Sequence, residues 1–327
     1  VIDTAILLAA GLGTRLAPLS AVRAKGALPV AGEILLRRQI RWLAAAGVRH
    51  VIVNLHHLPA SITARVGHGD DLGVSVRYSW EPVVLGSAGG PRRAFDLTGA
   101  ERAFIVNGDT LTDLDLGALA SAHAAAGALV TLAATPEARP GYNALVLDDE
   151  GRLLGVARHG HPALAAHDGR RHVHFIGVQV AERRAFAGVS AEAPSETLKQ
   201  VYPALVAADA GAVRVAPAPV AFHDIGTPAD YLATVRTLAG AEGRGLDRGV
   251  DVAIAPGATV SDSVLWDRVQ VDAGAIVEGS ILADDVHVPA GAVIAHAAVV
   301  RRTGPPPAAR GHAVGELWVT PLRQAAG

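Results

Sequence analysis

Four short stretches of this chain gather residue types that handle phosphate. The first is Leu8-Ala9-Ala10-Gly11-Leu12-Gly13-Thr14-Arg15-Leu16. Glycines let backbone N–H groups approach phosphate oxygens closely, and an arginine can clamp the same oxygens. The stretch lacks the Gly-Lys-Ser/Thr of a Walker A loop, and Leu16 stands where the dinucleotide fingerprint needs its third glycine. The competing reading is a tight strand-to-helix turn with a surface arginine. Lys25 follows ten residues after Arg15, in a loop bracketed by Pro18 and Pro29. A compact ammonium suits a phosphate that must be met by a point charge. Of the 29 basic residues, 27 are arginine and only Lys25 and Lys199 are lysine, so a retained lysine invites a chemical reason.

The other stretches supply oxygen donors and small residues. Asn107-Gly108-Asp109-Thr110 and His223-Asp224-Ile225-Gly226-Thr227-Pro228 each place an aspartate at a strand end. Ligands of open α/β sheets bind outside the carboxyl ends of strands, and Mg²⁺ is usually held by one or two carboxylates plus substrate phosphates. The second stretch also reads simply as a helix start, with Thr227 as N-cap before Pro228. Asp113 and Asp115 rank second, Asp115 reading as an N-cap. Gly86-Ser87-Ala88-Gly89-Gly90 fits either a ligand laid against backbone or a helix N-terminus, and spacing leaves both open. The 14 histidines show no metal-ligand spacing; His56, His57, His172 and His174 read as polar loop or sheet residues.

Apolar runs at residues 4–8, 50–54, 74–78, 103–106 and 129–133 predict buried strands. Between them, Leu36, Ile40 and Leu43 repeat with helical spacing and Gly47 stands where a C-cap glycine belongs; residues 60–66 and the trio Leu116, Leu119, Ala120 also read as helical. Alternating strands and helices predict an α/β fold with a mixed, mostly parallel, Rossmann-like sheet and helices on both faces. Shorter strands and polar turns between residues 141 and 180 read as a sheet extension. Residues 195–208 read as a helix that Pro203 kinks or splits, followed by a strand at 213–215 and a helix after Pro228.

The expected division is a domain at 1–240, a polar linker at 241–249, repeats at 250–302 and a tail at 303–327 that folds back through Leu317 to Val319. The repeats have a period of 17: Ile254, Val271, Val288; Val260, Val277, Ile294; Gly257, Gly274, Gly291. Aliphatics six residues apart with a turn glycine midway predict a triangular parallel β-helix of about three coils. Composition agrees with a globular protein: half the residues are hydrophobic and the net charge is −2, which argues against nucleic acid or anionic membrane as partner. The absence of cysteine excludes disulfides and thiolate chemistry. With no long apolar run and no basic leader before residues 6–10, the expected location is cytoplasmic.

Taken in order, LAAGLGTRLAPLS, Lys25 with LPVAG, NGDT and HDIGTPADY resemble the sugar-1-phosphate nucleotidylyltransferases, or NDP-sugar pyrophosphorylases, over residues 3 to about 240. The 17-residue repeats resemble the left-handed β-helix that many members carry at the C-terminus. The resemblance implies attack of a sugar 1-phosphate on the α-phosphorus of an NTP, giving NDP-sugar and pyrophosphate with Mg²⁺ as cofactor. It assigns Gly11 and Gly13 to the nucleotide phosphates, Arg15 to the leaving pyrophosphate and Lys25 to the α-phosphate, and counts Ala9, Thr14 and Gly108 among the nucleotide-binding residues. Asp109, counted with Arg15 and Lys25 as catalytic, would share the metal with Asp224. Asn54, Gly86 and Ser87 would meet the nucleotide base, and Tyr142, Asn143 and Gly177 the sugar.

Two departures stand out. Ala24 and Gly26 replace the usual prolines beside the lysine, and the family's Glu-Lys-Pro segment is missing, GVARHG at 155–160 standing roughly there. Arg158 or His159 is the candidate substitute. The variant most resembled is a mannose-1-phosphate guanylyltransferase, with a uridylyltransferase acting on N-acetylmuramic acid 1-phosphate as alternative and a non-catalytic regulatory paralogue as third reading. Association of copies through the β-helix is expected, because an open terminal coil must be capped or paired.

Overall fold

A computed structural model describes residues 2–136, 143–158, 169–305 and 311–322. The chain forms two compact units: Val1–Gly11, Gln39–His57 and Val66–His223 in one, Leu12–Arg38, Leu58–Arg65 and Asp224–Gly327 in the other. The division falls inside the glycine loop: Leu8–Gly11 belongs to the first unit, and Leu12–Leu16 joins Lys25 in the second.

The first unit is built on a nine-stranded mixed sheet. Its strands are β1 (Thr4–Leu8), β2 (His50–Leu55), β3 (Ser75–Trp80), β4 (Arg102–Asn107), β5 (Val130–Thr135), β6 (Asn143–Leu147), β7 (Leu153–Arg158), β8 (Arg171–Glu182) and β9 (Val213–Pro217). The order is β7-β6-β8-β4-β1-β2-β3, with β5 beside β8 and β9 beside β5. Strands β3, β2, β1 and β4 run parallel, as does the β9–β5 pair, while β8 runs antiparallel to β4, β5 and β6. The chain leaves β1 to one side through β2 and β3, then returns to its other side at β4. That reversal creates the crevice at strand C-termini where open sheets take ligands. The central strands are apolar on both faces: Ala5, Ile6, Leu7, Val51, Ile52, Val53, Ile105 and Val106 are all buried.

Helix α1 (Leu35–Ala45) buries Leu35, Leu36, Ile40 and Leu43. It ends as expected at Gly47, whose φ is +96°; the Gly47 N–H donates to Ala44 O and the Val48 N–H to Leu43 O, a paired cap that needs a left-handed residue. Helix α2 covers Pro59–Val66 and α3 covers Gly86–Phe95. Helix α4 (Leu116–Ala126) is capped by Asp115, whose carboxylate accepts from the Ala118 N–H at 3.0 Å. The helix expected at 195–208 is split, as Pro203 suggested: a π-turn at Thr197–Val201 precedes α5 (Tyr202–Ala208), with the proline in its first turn, where no N–H is needed. The extension at 141–180 includes the longest strand, β8, besides the short ones.

In the second unit, α6 (Pro228–Ala241) starts with a capping box between Thr227 and Asp230. The 17-residue repeat is realised as three small parallel sheets, one per side of a triangular β-helix. Ile254 pairs with Val271 and Val271 with Val288; Val260, Val277 and Ile294 form the second column; Leu265, Leu282 and Val299 form a third. The corners explain the period further. Gly257, Gly274 and Gly291 take positive φ at one corner, Asp251, Arg268 and Asp285 at another, Asp262, Gly279 and His296 at the last. Only the all-glycine corner was visible as a sequence signal. The tail returns as read: Leu317–Pro321 pairs antiparallel with Ala297–Arg301, and His312–Val314 adds beyond it.

Candidate active site

In the sheet unit, the ends of β1, β2 and β4 are fastened together by buried side-chain amides. Asn54, at 3% exposure, accepts from the Ala9 N–H at 2.5 Å and the Ala10 N–H at 3.2 Å through Oδ1. Its Nδ2 donates to Glu81 Oε1 at 2.7 Å. Glu81 is fully buried, and its Oε2 accepts from the Leu85 N–H at 2.8 Å, at the entrance of α3. Gly90 packs against this pair so closely that a Cβ there would stand 2.7 Å from Asn54 Nδ2. Asn54, expected to meet the base, holds the start of the glycine loop with its side chain. Glu81, its partner, had no motif to announce it.

The Asn107–Thr110 turn is held in the same way. The Gly108 N–H donates to Leu8 O at 2.9 Å, and a Cβ on Gly108 would lie 2.6 Å from that oxygen, so only glycine lets β1 and β4 end this close. Buried Gln39 donates through Nε2 to Asn107 O at 2.8 Å and Thr110 O at 2.7 Å, bracketing Asp109. Gly177, φ +79°, sits at the irregular register of β8 where a Cβ would meet Thr110 Oγ1 at 2.6 Å. Gly177 therefore adjoins the Asp109 turn. Asp109 itself is half-buried. Gln39 was missed because one glutamine on an amphipathic helix carries no pattern.

Residues 86–90, left open between two readings, form the N-terminal turn of α3. The Ser87 hydroxyl is engaged by Glu196 and Thr197, and the Ala88 N–H donates to Ser195 O at 2.9 Å. Of the sugar-pocket residues, Tyr142 lies outside the described residues, as does His159. Asn143 opens β6 and Arg158 closes β7, and their backbones are register partners.

The second unit gathers the cations. Gly13, φ +62°, precedes a 3₁₀ turn at Thr14–Leu16. A Cβ on Gly13 would stand 4.0 Å from Lys25 Cβ, and one on Gly226 would stand 3.0 Å from Arg15 Nη1. Gly13, Arg15, Lys25 and the loop that follows Asp224 thus cluster in one place. Thr14 and Arg15 are exposed, Lys25 and Asp224 half-buried. Gly11 differs from Gly13 and Gly108: a Cβ there would meet nothing within 4 Å, and its backbone is not left-handed. Among the described residues, no group of three or more His, Cys, Asp or Glu is placed to hold a metal.

Residues 4–157 match the Nucleotidyl transferase family model, and residues 247–313 match the GlmU-like C-terminal hexapeptide model. By these matches residues 4–157 are similar to a nucleotidyl transferase domain and residues 247–313 to hexapeptide repeats. The chain's relatives include a mannose-1-phosphate guanylyltransferase of Mycobacterium tuberculosis, 29% identical over 70% of this chain and 62% of that protein. An N-acetylmuramate alpha-1-phosphate uridylyltransferase of Neisseria meningitidis is 39% identical over 35% of this chain and 50% of that protein. The chain thus spans roughly half to three-fifths of these relatives' length. HddC from Yersinia pseudotuberculosis shares the fold, with a TM-score of 0.62 at 20% identity over 72% of this chain and 100% of that one. No helix among the described residues is long and apolar enough to cross a membrane.

Proposed function

We propose that this chain transfers a nucleotidyl group from an NTP to a sugar 1-phosphate, releasing pyrophosphate. The observation that carries the reading is the cluster of Gly13, Arg15, Lys25 and the 224–227 loop, where two cations meet a glycine turn beside a carboxylate. Gly11 supports it, since nothing inside the protein requires glycine there, whereas close passage of a phosphate does. The attacking phosphate is already an anion, so no general base is needed; catalysis consists of aligning two anions and neutralising them. Arg15 holds the departing pyrophosphate and Lys25 the α-phosphate, with Ala9, Gly11, Thr14 and Gly108 offering close backbone.

Mg²⁺ fits the donors available: Asp109 and Asp224 present hard carboxylate oxygens, leaving other positions for water and phosphate. These two residues would hold the ion, which when bound supplies positive charge to the phosphate oxygens. Gly177 adjoins the Asp109 turn; the sugar-side roles of Tyr142 and Asn143, and of Arg158 or His159 toward the sugar phosphate in place of the missing lysine, are proposed from the resemblance alone. Arg158→Ala should then raise KM for sugar phosphate, and an unchanged KM removes that residue.

For substrates we favour GTP with mannose 1-phosphate, supported by an alignment over 229 residues to a relative of that name. The uridylyltransferase reading on N-acetylmuramic acid 1-phosphate rests on the higher identity of a shorter alignment. Pyrophosphate release measured over a matrix of NTPs and sugar 1-phosphates decides between them. Turnover greatest with GTP and mannose 1-phosphate is expected; none over the whole matrix leaves the regulatory nucleotide-sugar-binding reading. Copies associate through the β-helix, where Ile276 and Val293 form an exposed apolar column at 43% and 65% exposure.

A further inference from the structure

The β-helix reaches the loop that carries Lys25 through one buried arginine. Arg23, two residues before Lys25, is only 3% exposed. Its Nε donates to Asp284 Oδ2 at 2.8 Å, and its Nη2 donates to Asp284 Oδ1 and Asp267 Oδ2, both at 2.5 Å. Asp267 and Asp284 are 17 residues apart, the same position of two successive coils, and the Asp267 N–H donates to Asp284 Oδ1 at 3.0 Å. Arg65 of α2 adds a second cation on Asp267, at 3.1 Å. The Arg23 guanidinium lies 5.0 Å from the ring centre of fully buried Trp266, in the same coil as Asp267.

The neighbouring residues are fastened too. The Ala24 N–H donates to Ser61 Oγ at 3.0 Å. Tyr231, which accepts from Trp266 Nε1, donates to Pro29 O at 2.6 Å. Asp247, within the stretch expected to be a linker, accepts from the Ala31 N–H at 2.7 Å and from the Gly32 N–H. A β-helix serving only to join copies has no need of two stacked carboxylates aimed at one arginine two residues from a functional lysine. Breaking a buried ion pair leaves a charge without its partner, so such a link holds its segment in a single geometry.

We infer that Asp267 and Asp284 of the β-helix are positioning residues, acting through Arg23 to set the placement of Lys25. The catalytic meaning of that placement rests on the nucleotidyl-transfer reading above; the anchoring itself does not.

The chain offers a clean probe, because its only lysines are half-buried Lys25 and exposed Lys199. Acetylation of the full-length protein, followed by peptide mass spectrometry, gives the labelling rate of Lys25 relative to Lys199. Asp284→Asn, shown by thermal unfolding to be folded, should change that ratio at least threefold and lower kcat at least tenfold, with KM for the nucleotide changed less. Asp285→Asn removes a β-helix charge that does not bond to Arg23 and should leave the ratio within 1.5-fold of wild type. If Asp284→Asn does not fold, Asp267→Asn carries the same measurement, since it removes a single contact to Arg23. A ratio and kcat within 1.5-fold of wild type in the folded variant overturn the proposal. A changed ratio in a protein whose wild type turns over no substrate pair keeps the anchor and discards the enzymatic reading.

Discussion

The candidate residues of the first unit and those of the second are held by different kinds of bond. The β1, β2 and β4 ends are fastened by uncharged amides, with Asn54 on Ala9 and Ala10 and Gln39 on Asn107 and Thr110, Glu81 being the one carboxylate behind them. The Lys25 segment is fastened by ions: Arg23 on Asp267 and Asp284, and Asp247 on two backbone N–H groups. Amide bonds to backbone fix geometry at each bond and respond little to pH. Ion pairs fix geometry too, but they exist only while the carboxylates are charged. The comparison teaches that two loops of one chain can differ in what disturbs them.

Removing a charge at the ionic anchor should have the largest effect. Arg23→Met leaves Asp267 and Asp284 facing each other without their cation and should cost about 4 kcal/mol, in the range for one half of a buried ion pair. Urea unfolding measures it, and a loss below about 1 kcal/mol would erase the contrast between the two loops. Asn54→Ala strands the Ala9 and Ala10 N–H groups and one Glu81 oxygen, and should cost about 3 kcal/mol with a parallel loss of turnover. Gly108→Ala drives a Cβ to 2.6 Å from Leu8 O, which must separate β1 from β4. It should cost about 2 kcal/mol in the same assay, as overpacking does.

The pH dependence sharpens the comparison. Burial pushes the Asp267 carboxyl up, but Arg23, the Val250 N–H and Arg65 outweigh it and leave it below its ordinary value. A carboxyl depressed on folding contributes stability above its unfolded pKa of about 3.9 and loses it as pH falls through the folded value. Asp267→Asn should therefore flatten the loss of stability below about pH 4, read from urea midpoints across pH, whereas Gln39→Leu should leave that slope unchanged. Asp247 goes the other way: burial raises its carboxyl despite the Gly32 and Ala31 N–H groups and the Arg38 and Arg244 charges. The smallest effect is expected at the surface. Asp285→Ala breaks an ion pair with Arg268 whose partners are 46% and 49% exposed, and should cost under about 1 kcal/mol.

How much could be read in advance differed from region to region. The β-helix was legible because its physics is repetitive: every coil must bury an aliphatic at each side, so the columns recur at 17 and betray themselves. Its two other corners were hidden, since aspartate, arginine and histidine carry the left-handed turns there without a common residue type. The strands of the sheet were legible as apolar runs, but their order was not, because a strand's pattern records that it is buried and not what lies beside it. Arg15, Lys25, Asp109 and Asp224 were singled out because their types and local company suggested chemistry. Gln39, Glu81 and Arg23 were not, because each is an ordinary residue whose partner lies far along the chain, up to 261 residues away for Arg23.

The sequence by itself determined the element types, the triangular coil and the residues equipped to meet phosphate, since these follow from local periodicity and side-chain chemistry. Only the tertiary structure decided that Asn54 grips the glycine loop and that the β-helix grips the Lys25 segment. Hydrogen bonds and ion pairs between distant residues depend on distances that no local pattern encodes, and they become visible only once the chain has closed on itself.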